Sequence, residues 1–389
     1  MKLSDTLKSI RKSTGAELLE DSPFAEVKEW LTSGSYALNR VMTGDISKGF
    51  PVGRISTLYG ASQSGKSLLA ALTVINAVKN NLVDIVYIFD SEGGVLVDTY
   101  RKSGCDMSRI QYIPVSSVED CGVKMMKVYD TLVQARSEYL KDPSANDNVR
   151  TLCVLDSFGA LKSEKLVTDA LNKDQMVQDM GLTAKLKNNM INVLMMKVVQ
   201  SNATLIVTNH EYSDPAQMYA SKIHNMGGGK GIEFASHIIV QCEKLLVKSG
   251  DNDFLTGLEA DTDHTGYFKG NKMKFMPVKN RTCKPCFQAT VYIDFNTGIS
   301  KYDGLIEDAV KYGFLEEVRG GYICPSYSEK RVTYRDLVSK DEIWDTFIDD
   351  FNRRSKELME YSNSTSRELD RIEAEIDNAT EVKEKDNDK

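Results

Sequence analysis

The feature that most constrains this 389-residue chain is the stretch from Gly60 to Ser67, which reads Gly-Ala-Ser-Gln-Ser-Gly-Lys-Ser. It matches the phosphate-binding loop pattern G-x-x-x-x-G-K-[ST] at every fixed position. The apolar run 55–59 before it predicts a buried strand, and the run 68–78 after it predicts a helix. The two glycines let successive backbone N–H groups turn toward one anion, which the positive end of the helix dipole also attracts.

This stretch therefore predicts a nucleoside triphosphate site. Lys66 is expected to contact the β- and γ-phosphates, and Ser67 is expected to bind Mg²⁺. The predicted nucleotide-binding residues of the loop are Gly60, Ala61, Ser62, Gln63, Ser64, Gly65, Lys66 and Ser67.

Beyond the loop, strand and helix patterns alternate, which is typical of an α/β fold with a mainly parallel, twisted sheet. Runs 84–89, 151–155 and 203–207 are continuously apolar, as in strands covered on both faces. A loop at 162–178 and a helix at about 180–200 are predicted between the last two. Polar residues follow the strand ends, where the ligands of open α/β sheets collect. They are Asp90 and Glu92, Asp156 and Ser157, and Asn209 and His210.

The two ends of the chain differ from this core. Residues 1–30 predict a helical arm with little core of its own, whose second short helix runs into Trp30. Such an arm can dock on its own domain or on a neighbouring copy of the chain. The expected division is an arm at 1–30, an α/β core at 31–300, a small α-rich domain at 301–350 and a charged acidic tail at 351–389.

Composition and charge limit the nucleic-acid binding, membrane association and cysteine chemistry that we expect of this chain. A net charge of −7 argues against a surface that binds nucleic acid indiscriminately, although local basic loops remain compatible with it. No apolar run is long enough to span a membrane, and residues 1–20 are charged throughout, so we expect a cytoplasmic protein. The seven scattered cysteines predict reduced thiols, and the single C-x-x-C at Cys283 and Cys286 lacks the second pair that a zinc site needs.

Hydrolysis of a nucleoside triphosphate needs a metal holder, charge neutralisation and a group that orients or deprotonates water. Asp156 ends an apolar strand in the place of a Walker B aspartate and is predicted to hold Mg²⁺. Glu92 follows another strand and is the candidate for polarising the water. A carboxylate at a strand end can also be a helix cap or turn residue, so spacing alone leaves the role of Glu92 open.

Several short segments occur in the same order as in RecA-family recombinases, which the chain resembles over roughly residues 30–325. Within that family the resemblance is closest to the UvsX-type recombinases of T-even phages, which also have His at the position of His210. The arm is similar only in character, and the tail hardly at all. The matching segments are Ile88-Phe89-Asp90-Ser91-Glu92, Leu155-Asp156-Ser157, Met180-Gly181-Leu182, Thr208-Asn209-His210, Gly228-Gly229 with Phe234-Ala235-Ser236, and Lys279-Asn280-Arg281.

The resemblance implies roles for these residues. Glu92 is then the catalytic carboxylate, His210 a γ-phosphate sensor, and Lys279 and Arg281 a basic pair that reaches the nucleotide of the adjacent subunit. The adenine-stacking tyrosine of the family falls on Thr99, so Tyr100, one place later, is the expected base contact. Segments 162–178 and 211–230 resemble the two DNA-binding loops. The implied DNA-binding residues are Lys173, Lys185, Tyr212, Met218, Gly228, Gly229 and Lys230.

The implied activity is that of an ATP-dependent DNA recombinase that forms helical filaments on single-stranded DNA. It would pair homologous DNA and exchange strands in recombination, repair and recombination-dependent replication. The implied cofactors are ATP and Mg²⁺. The implied partners are single- and double-stranded DNA, further copies of the chain, and single-strand-binding and mediator proteins, in the host-cell cytoplasm. Two alternatives stay open: a hexameric replicative helicase, and a nucleotide-gated assembly scaffold with little catalysis.

Overall fold

A ten-stranded sheet lies at the centre of the part of the chain that the computed structural model describes, residues 3–16, 18–19, 22, 24–95, 97–172, 181–212, 225–245, 270–294 and 298–361. The strands in chain order are β1 (Trp30–Leu31), β2 (Phe50–Pro51), β3 (Ile55–Gly60), β4 (Ile85–Asp90), β5 (Ile110–Pro114), β6 (Thr151–Asp156), β7 (Thr204–Tyr212), β8 (Asn225–Met226), β9 (Ile238–Leu245), β10 (Gly270–Asn280), β11 (Ala289–Asp294), β12 (Gly298–Ile299), β13 (Glu316–Val318), β14 (Gly321–Cys324) and β15 (Ser328–Val332).

The large sheet has the order β12-β11-β10-β9-β3-β7-β6-β4-β5, and β8 pairs with β7. From β9 through β3, β7, β6 and β4 to β5 the neighbours run parallel. Strands β10, β11 and β12 extend it in antiparallel fashion. The predicted mainly parallel α/β core is confirmed.

Helices cover both faces of the sheet. They are α1 (Leu3–Thr14), α2 (Tyr36–Thr43), α3 (Lys66–Lys79), α4 (Val97–Lys102), α5 (Val118–Lys141), α6 (Glu164–Asn172), α7 (Leu182–Ser201), α8 (Lys230–Ala235), α9 (Ile306–Lys311), α10 (Tyr334–Ser339), α11 (Asp341–Trp344) and α12 (Ile348–Met359).

The two faces of the sheet carry separate apolar cores because side chains alternate along each strand. On β6, Leu152 and Val154 pack with α2 and α3, whereas Cys153 and Leu155 pack with α5 and α7. All four side chains are buried. This double burial explains why the parallel strands read as continuous apolar runs.

Three local expectations differ from the structure. The segment before Trp30 is turn and extended chain, and Trp30 begins β1, which pairs with β2 instead of ending a helix. Residues 164–172 of the predicted loop form α6, and β5 was not predicted. An edge strand with exposed positions such as Tyr112 gives a weaker apolar signal than a central strand.

The C-terminal region, expected to be α-rich, also contains a sheet, because β13, β14 and β15 form a three-stranded antiparallel sheet among its helices. Its core is continuous with one face of the main domain, and Trp344 and Phe351 belong to the same buried cluster as Leu38 of α2. Helix α12 continues to Met359, past the expected start of the tail at 351, because Phe351, Ser355 and Met359 are buried.

Arg40 of α2 is a buried cation that ties this region to the core. It donates to Asp308 Oδ2 at 2.7 Å, to Ser355 Oγ at 2.8 Å and to the hydroxyl of Tyr312. Its side chain is only 3 % exposed. Burial of a guanidinium is tolerated here because each of these contacts replaces water.

We expect Arg40→Ala to lower the free energy of unfolding by roughly 3 kcal/mol, because the Asp308 carboxylate then loses its buried partner. Chemical denaturation monitored by the two tryptophans measures the change. Arg101→Ala is the matched control, since it removes an exposed pair with Asp98 and should change stability little. Equal midpoints for the two variants would contradict the role of Arg40.

Candidate functional site

The phosphate-binding loop connects β3 to α3, as its sequence predicts. A Cβ on Gly60 would lie 2.0 Å from the backbone oxygen of Cys242, so only glycine allows the loop to pass β9 this closely. Gly65 has a φ of 88° and is the N-cap of α3. The first N–H groups of α3 have no partner within the helix and point toward the loop. An anion there would meet both these donors and the helix dipole.

Lys66 is the buried cation of this loop, with 7 % of its surface exposed. Its Nζ donates to the carbonyl oxygens of Gly60 at 3.0 Å and Ala61 at 2.6 Å. Burial lowers the pKa of Lys66 from its ordinary value, while Cys242, Asp156 and Glu92 act in the opposite direction. A phosphate group would provide the full negative charge that backbone carbonyls cannot.

Asp156 ends β6 beside this loop. Its Oδ1 accepts from the hydroxyl of Thr208 on β7, which orients the carboxylate, and its backbone oxygen accepts from Ser91 N at 2.9 Å. Ser67, in the first turn of α3, is exposed. A hydroxyl, a carboxylate and a nearby ammonium form a donor set that suits a magnesium–phosphate complex, because hard oxygen ligands are those that Mg²⁺ prefers.

Glu92 belongs to a three-residue cluster with Ser157 and His210. Its Oε1 accepts from the hydroxyl of Ser157 and lies 3.0 Å from Nε2 of His210, which is 3.2 Å from Ser157 Oγ. Since a carboxylate only accepts, Nε2 must carry a proton to make this contact. The side chains of Glu92 and His210 remain 44 % and 40 % exposed, so both can reach a ligand.

Strand register brings these residues together. Gly60 of β3 lies opposite His210 of β7, and Asp90 of β4 lies opposite Asp156 of β6. The sequence had marked the strand ends but not the contacts that Ser157 and Thr208 make across them. The available signal was a hydroxyl residue near each of these groups in the sequence: Ser157 directly follows Asp156, and Thr208 lies two residues before His210.

Tyr100 of α4, the expected base contact, is a buried residue. It is 6 % exposed and packs into the core between α4 and α3, and burial raises the pKa of its hydroxyl. The expected stacking of its ring on adenine stays a prediction.

Lys279 and Arg281 lie at the opposite edge of the sheet, the one formed by the amino ends of the parallel strands. Arg281 N donates to His237 O, and His237 N donates to Ile55 O, so Arg281 is level with the start of β3. Five strand residues separate Ile55 from Gly60, which is on the order of 16 Å along the strand. The pair is therefore remote from the loop of its own chain.

The basic pair has hydrogen-bond partners within its own chain. Lys279 Nζ donates to the carbonyl oxygens of Glu233 at 2.5 Å and Phe234 at 3.2 Å, and Arg281 Nη2 donates to Phe234 O at 3.1 Å. Both cations thus cap the C-terminus of α8, where the helix dipole favours positive charge.

Arg54 adds a third cation to this edge, and sequence reasoning missed it. Burial and Arg281 lower the pKa of Arg54, and burial and the same arginine lower that of Lys279. Burial and the charges of Arg54, Arg281 and Lys279 lower the pKa of His237 to about 4. Like charges therefore repel at this edge, and an anion bound there would relieve the repulsion.

The expected DNA-binding residues that the structure describes lie near the ends of the two loops. Lys185 and Lys230 are exposed in the first turns of α7 and α8, and Tyr212 is 62 % exposed at the end of β7. Gly228 and Gly229 have φ values of 91° and 84°, and Gly229 is the N-cap of α8. Lys173 and Met218 lie outside the described residues. No described helix is long and apolar enough to cross a membrane.

Gly159 offers a way to separate His210 from Glu92 without altering either. A Cβ at this position would lie 2.3 Å from His210 Cδ2, so Gly159→Ala should push the imidazole away and break the 3.0 Å contact. The imidazole resonances of His210, one of four histidines, report this by NMR. Gly94→Ala is the control, since its Cβ meets nothing within 4 Å. An unchanged His210 spectrum in Gly159→Ala would refute the contact.

Comparisons with known proteins agree with the predicted family. The chain is 24 % identical over 346 residues to the recombination and repair protein of Enterobacteria phage T4, covering 88 % of this chain and 79 % of that protein. It is 26 % identical over 343 residues to protein RecA of Chlorobaculum parvum, covering 86 % and 85 % of the two chains. The crystal structure of the RadB recombinase matches with a TM-score of 0.45 at 18 % identity, over 69 % of this chain and 98 % of that one. The family model of the RecA N-terminal domain matches residues 1–300 of this chain, which therefore belongs to the RecA family.

Proposed function

We propose that this RecA-type recombinase binds ATP and Mg²⁺, assembles head to tail on single-stranded DNA, and uses the assembly for homologous pairing and strand exchange. One observation carries the proposal. The nucleotide-site residues meet at the carboxyl ends of the strands, whereas a repelling cluster of cations lies at the opposite edge. A chain with an anion site at one edge and a cation site at the other can stack on copies of itself.

In this proposal Lys66 and the first turn of α3 bind the phosphates, and Ser67 and Asp156 hold Mg²⁺. The metal, when bound, neutralises charge on the phosphates. Glu92 orients and polarises the attacking water, and its 3.0 Å contact with His210 supports a link between hydrolysis and nucleotide sensing. A γ-phosphate that draws His210 to itself would release the Glu92 carboxylate toward the water.

The basic pair would act in trans. Among the described residues, the side chains of Lys279 and Arg281 donate to backbone carbonyls of α8. The phosphates of a neighbouring subunit are a stronger partner for two cations than carbonyl dipoles are. Their binding would stabilise the interface and the charge that develops during hydrolysis. The exposed apolar side of α1, with Leu3, Leu7 and Ile10, is a further surface for a neighbouring copy.

DNA would bind along the ends of β7, α7 and α8. Lys185 and Lys230 supply positive charge, the glycine backbone at 228–229 allows close approach of phosphates, and Tyr212 offers a ring for stacking on bases. The phage T4 relative is named a recombination and repair protein, which supports the same processes here. Single-strand-binding and mediator proteins, and a cytoplasmic location, stay predictions.

Glu92→Gln should separate binding from chemistry. The amide keeps the shape of the side chain but cannot act as a base, so we expect phosphate release to fall by roughly 100-fold or more while ATP affinity changes little. Rapid-mixing assays of phosphate and equilibrium binding of a fluorescent ATP analogue measure the two effects. Lys66→Ala is the comparison variant, since it should lower both the rate of phosphate release and the affinity for ATP. A collapse of ATP affinity in Glu92→Gln would make the residue structural.

A mixing experiment tests the trans role. A Lys279→Ala, Arg281→Ala protein should fold, bind DNA weakly and hydrolyse ATP poorly, because its interfaces lack the cations that reach the next nucleotide. Adding a Lys66→Ala, Glu92→Gln protein, whose basic pair is intact, should restore part of the DNA-stimulated hydrolysis at mixed interfaces. Electron microscopy with single-stranded DNA and ATP confirms co-assembly and separates helical filaments from closed rings. No recovery at any mixing ratio, with co-assembly seen, would remove the trans role.

A further inference from the structure

Asp90 is a buried carboxylate that ends β4 two residues before Glu92. It is 4 % exposed. Its Oδ1 accepts from the backbone N–H groups of Glu92 and Gly93, each at 2.9 Å, and its Oδ2 accepts from Val95 N at 3.4 Å. One side chain therefore holds three backbone donors of the segment that carries Glu92.

Tyr112 adds a fourth donor to the same carboxylate. Its hydroxyl donates to Asp90 Oδ2 at 3.2 Å from the edge strand β5, where the tyrosine is 53 % exposed. The backbone of Asp90 is fixed as well, because Val115 N donates to Asp90 O at 2.9 Å. Both oxygens of Asp90 are thus used within the protein, unlike those of a carboxylate placed to hold a metal ion.

Ser91, which directly precedes Glu92, is tied to Ser157, the residue that follows β6. Ser91 Oγ donates to Ser157 O at 2.7 Å, and Ser157 N donates to Ser91 Oγ at 2.9 Å. The backbone on both sides of Glu92 is therefore anchored, whereas its side chain is half exposed. A fixed backbone with a solvent-accessible carboxylate is what a group that must orient a water molecule requires.

We propose that Asp90, assisted by Tyr112, is a positioning residue that sets the backbone of Glu92 and thereby the place of its carboxylate during hydrolysis. The inference rests on the proposed role of Glu92 in ATP hydrolysis. In this role Asp90 acts on the backbone of the Glu92 segment and not on the nucleotide or the water. It acts because an acceptor-only side chain satisfies several N–H groups at once, which an amide in the same place does less well.

The test is a double-mutant cycle on the full-length protein bound to poly(dT), with single-turnover phosphate release as the readout. Asp90→Asn should lower the rate roughly 10- to 100-fold, because small displacements of a catalytic group have effects of that size. Tyr112→Phe removes one of the four donors and should lower it roughly fivefold. Affinity for a fluorescent ATP analogue should change less than about threefold in either variant, since the phosphate loop is untouched.

The decisive measurement repeats both substitutions in the Glu92→Gln background. If Asp90 acts through Glu92, neither substitution lowers the residual rate further by more than about twofold, since residues that work as a unit are not additive. A general structural role would instead lower both backgrounds equally and weaken ATP binding. That result would overturn the inference.

Matched controls come from the same chain. Asp106→Asn removes an aspartate that accepts from Ser108 N at 3.1 Å, the same kind of contact away from Glu92. Tyr327→Phe removes a tyrosine hydroxyl that donates to Glu342 at 3.1 Å. Both should release phosphate at the wild-type rate. If Asp90→Asn fails to fold, the double-mutant cycle is measured with Tyr112→Phe alone, because Tyr112 lies at the surface.

The outcomes also separate this inference from the proposed function. If Glu92→Gln itself turns over normally, the role of Glu92 is lost and the inference with it. If Glu92→Gln is inactive while Asp90→Asn and Tyr112→Phe are as fast as wild type, only the inference is overturned.

Discussion

Register between the parallel strands decides which side chains meet at the site. Gly60 lies opposite His210 and Asp90 opposite Asp156, so the loop, the histidine and the carboxylates share one edge of the sheet. A slip of one residue would turn each side chain to the other face. The two apolar cores prevent such a slip, since every second residue of β6 belongs to the opposite core. Packing on both faces thus holds the geometry of the site in place.

Charge is distributed between the two edges of the sheet in a way that suits association. The loop edge holds the buried ammonium of Lys66, whose pKa is lowered by burial and which hydrogen-bonds backbone carbonyls and Ser64. The far edge holds Arg54, Lys279 and Arg281, and burial together with the positive charges of these three residues lowers the pKa of their neighbour His237. A triphosphate between two subunits would satisfy both edges at once. ATP binding and assembly would then be one coupled equilibrium.

The side chain and the backbone of Glu92 have different structural requirements. The side chain contacts Ser157 and His210, contacts that the proposed mechanism exchanges for ligand, whereas the backbone is fixed by Asp90 and by the contacts between Ser91 and Ser157. Rigid support under a mobile group keeps the cost of reaching the reactive geometry small. The proposed movement of His210 from Glu92 to the γ-phosphate and the proposed positioning role of Asp90 therefore involve the same few residues.

The sequence by itself determined the phosphate loop, the parallel character of the sheet and the strand ends that carry Asp156, Glu92 and His210. These are local signals, since glycine spacing, continuous apolar runs and polar strand ends are all visible along the chain. Motif order also predicted the family, which the comparison over residues 1–300 confirmed.

Only the tertiary structure decided how distant residues pair. It showed that Tyr100 is a core residue, that Lys279 and Arg281 cap α8, that Arg54 joins them, and that α12 packs as far as Met359. Each of these depends on contacts between segments far apart in the chain, which composition and periodicity do not encode. The same holds for Asp90, whose place at a strand end was visible but whose four donors come from the Glu92 segment and from an edge strand too exposed to be recognised.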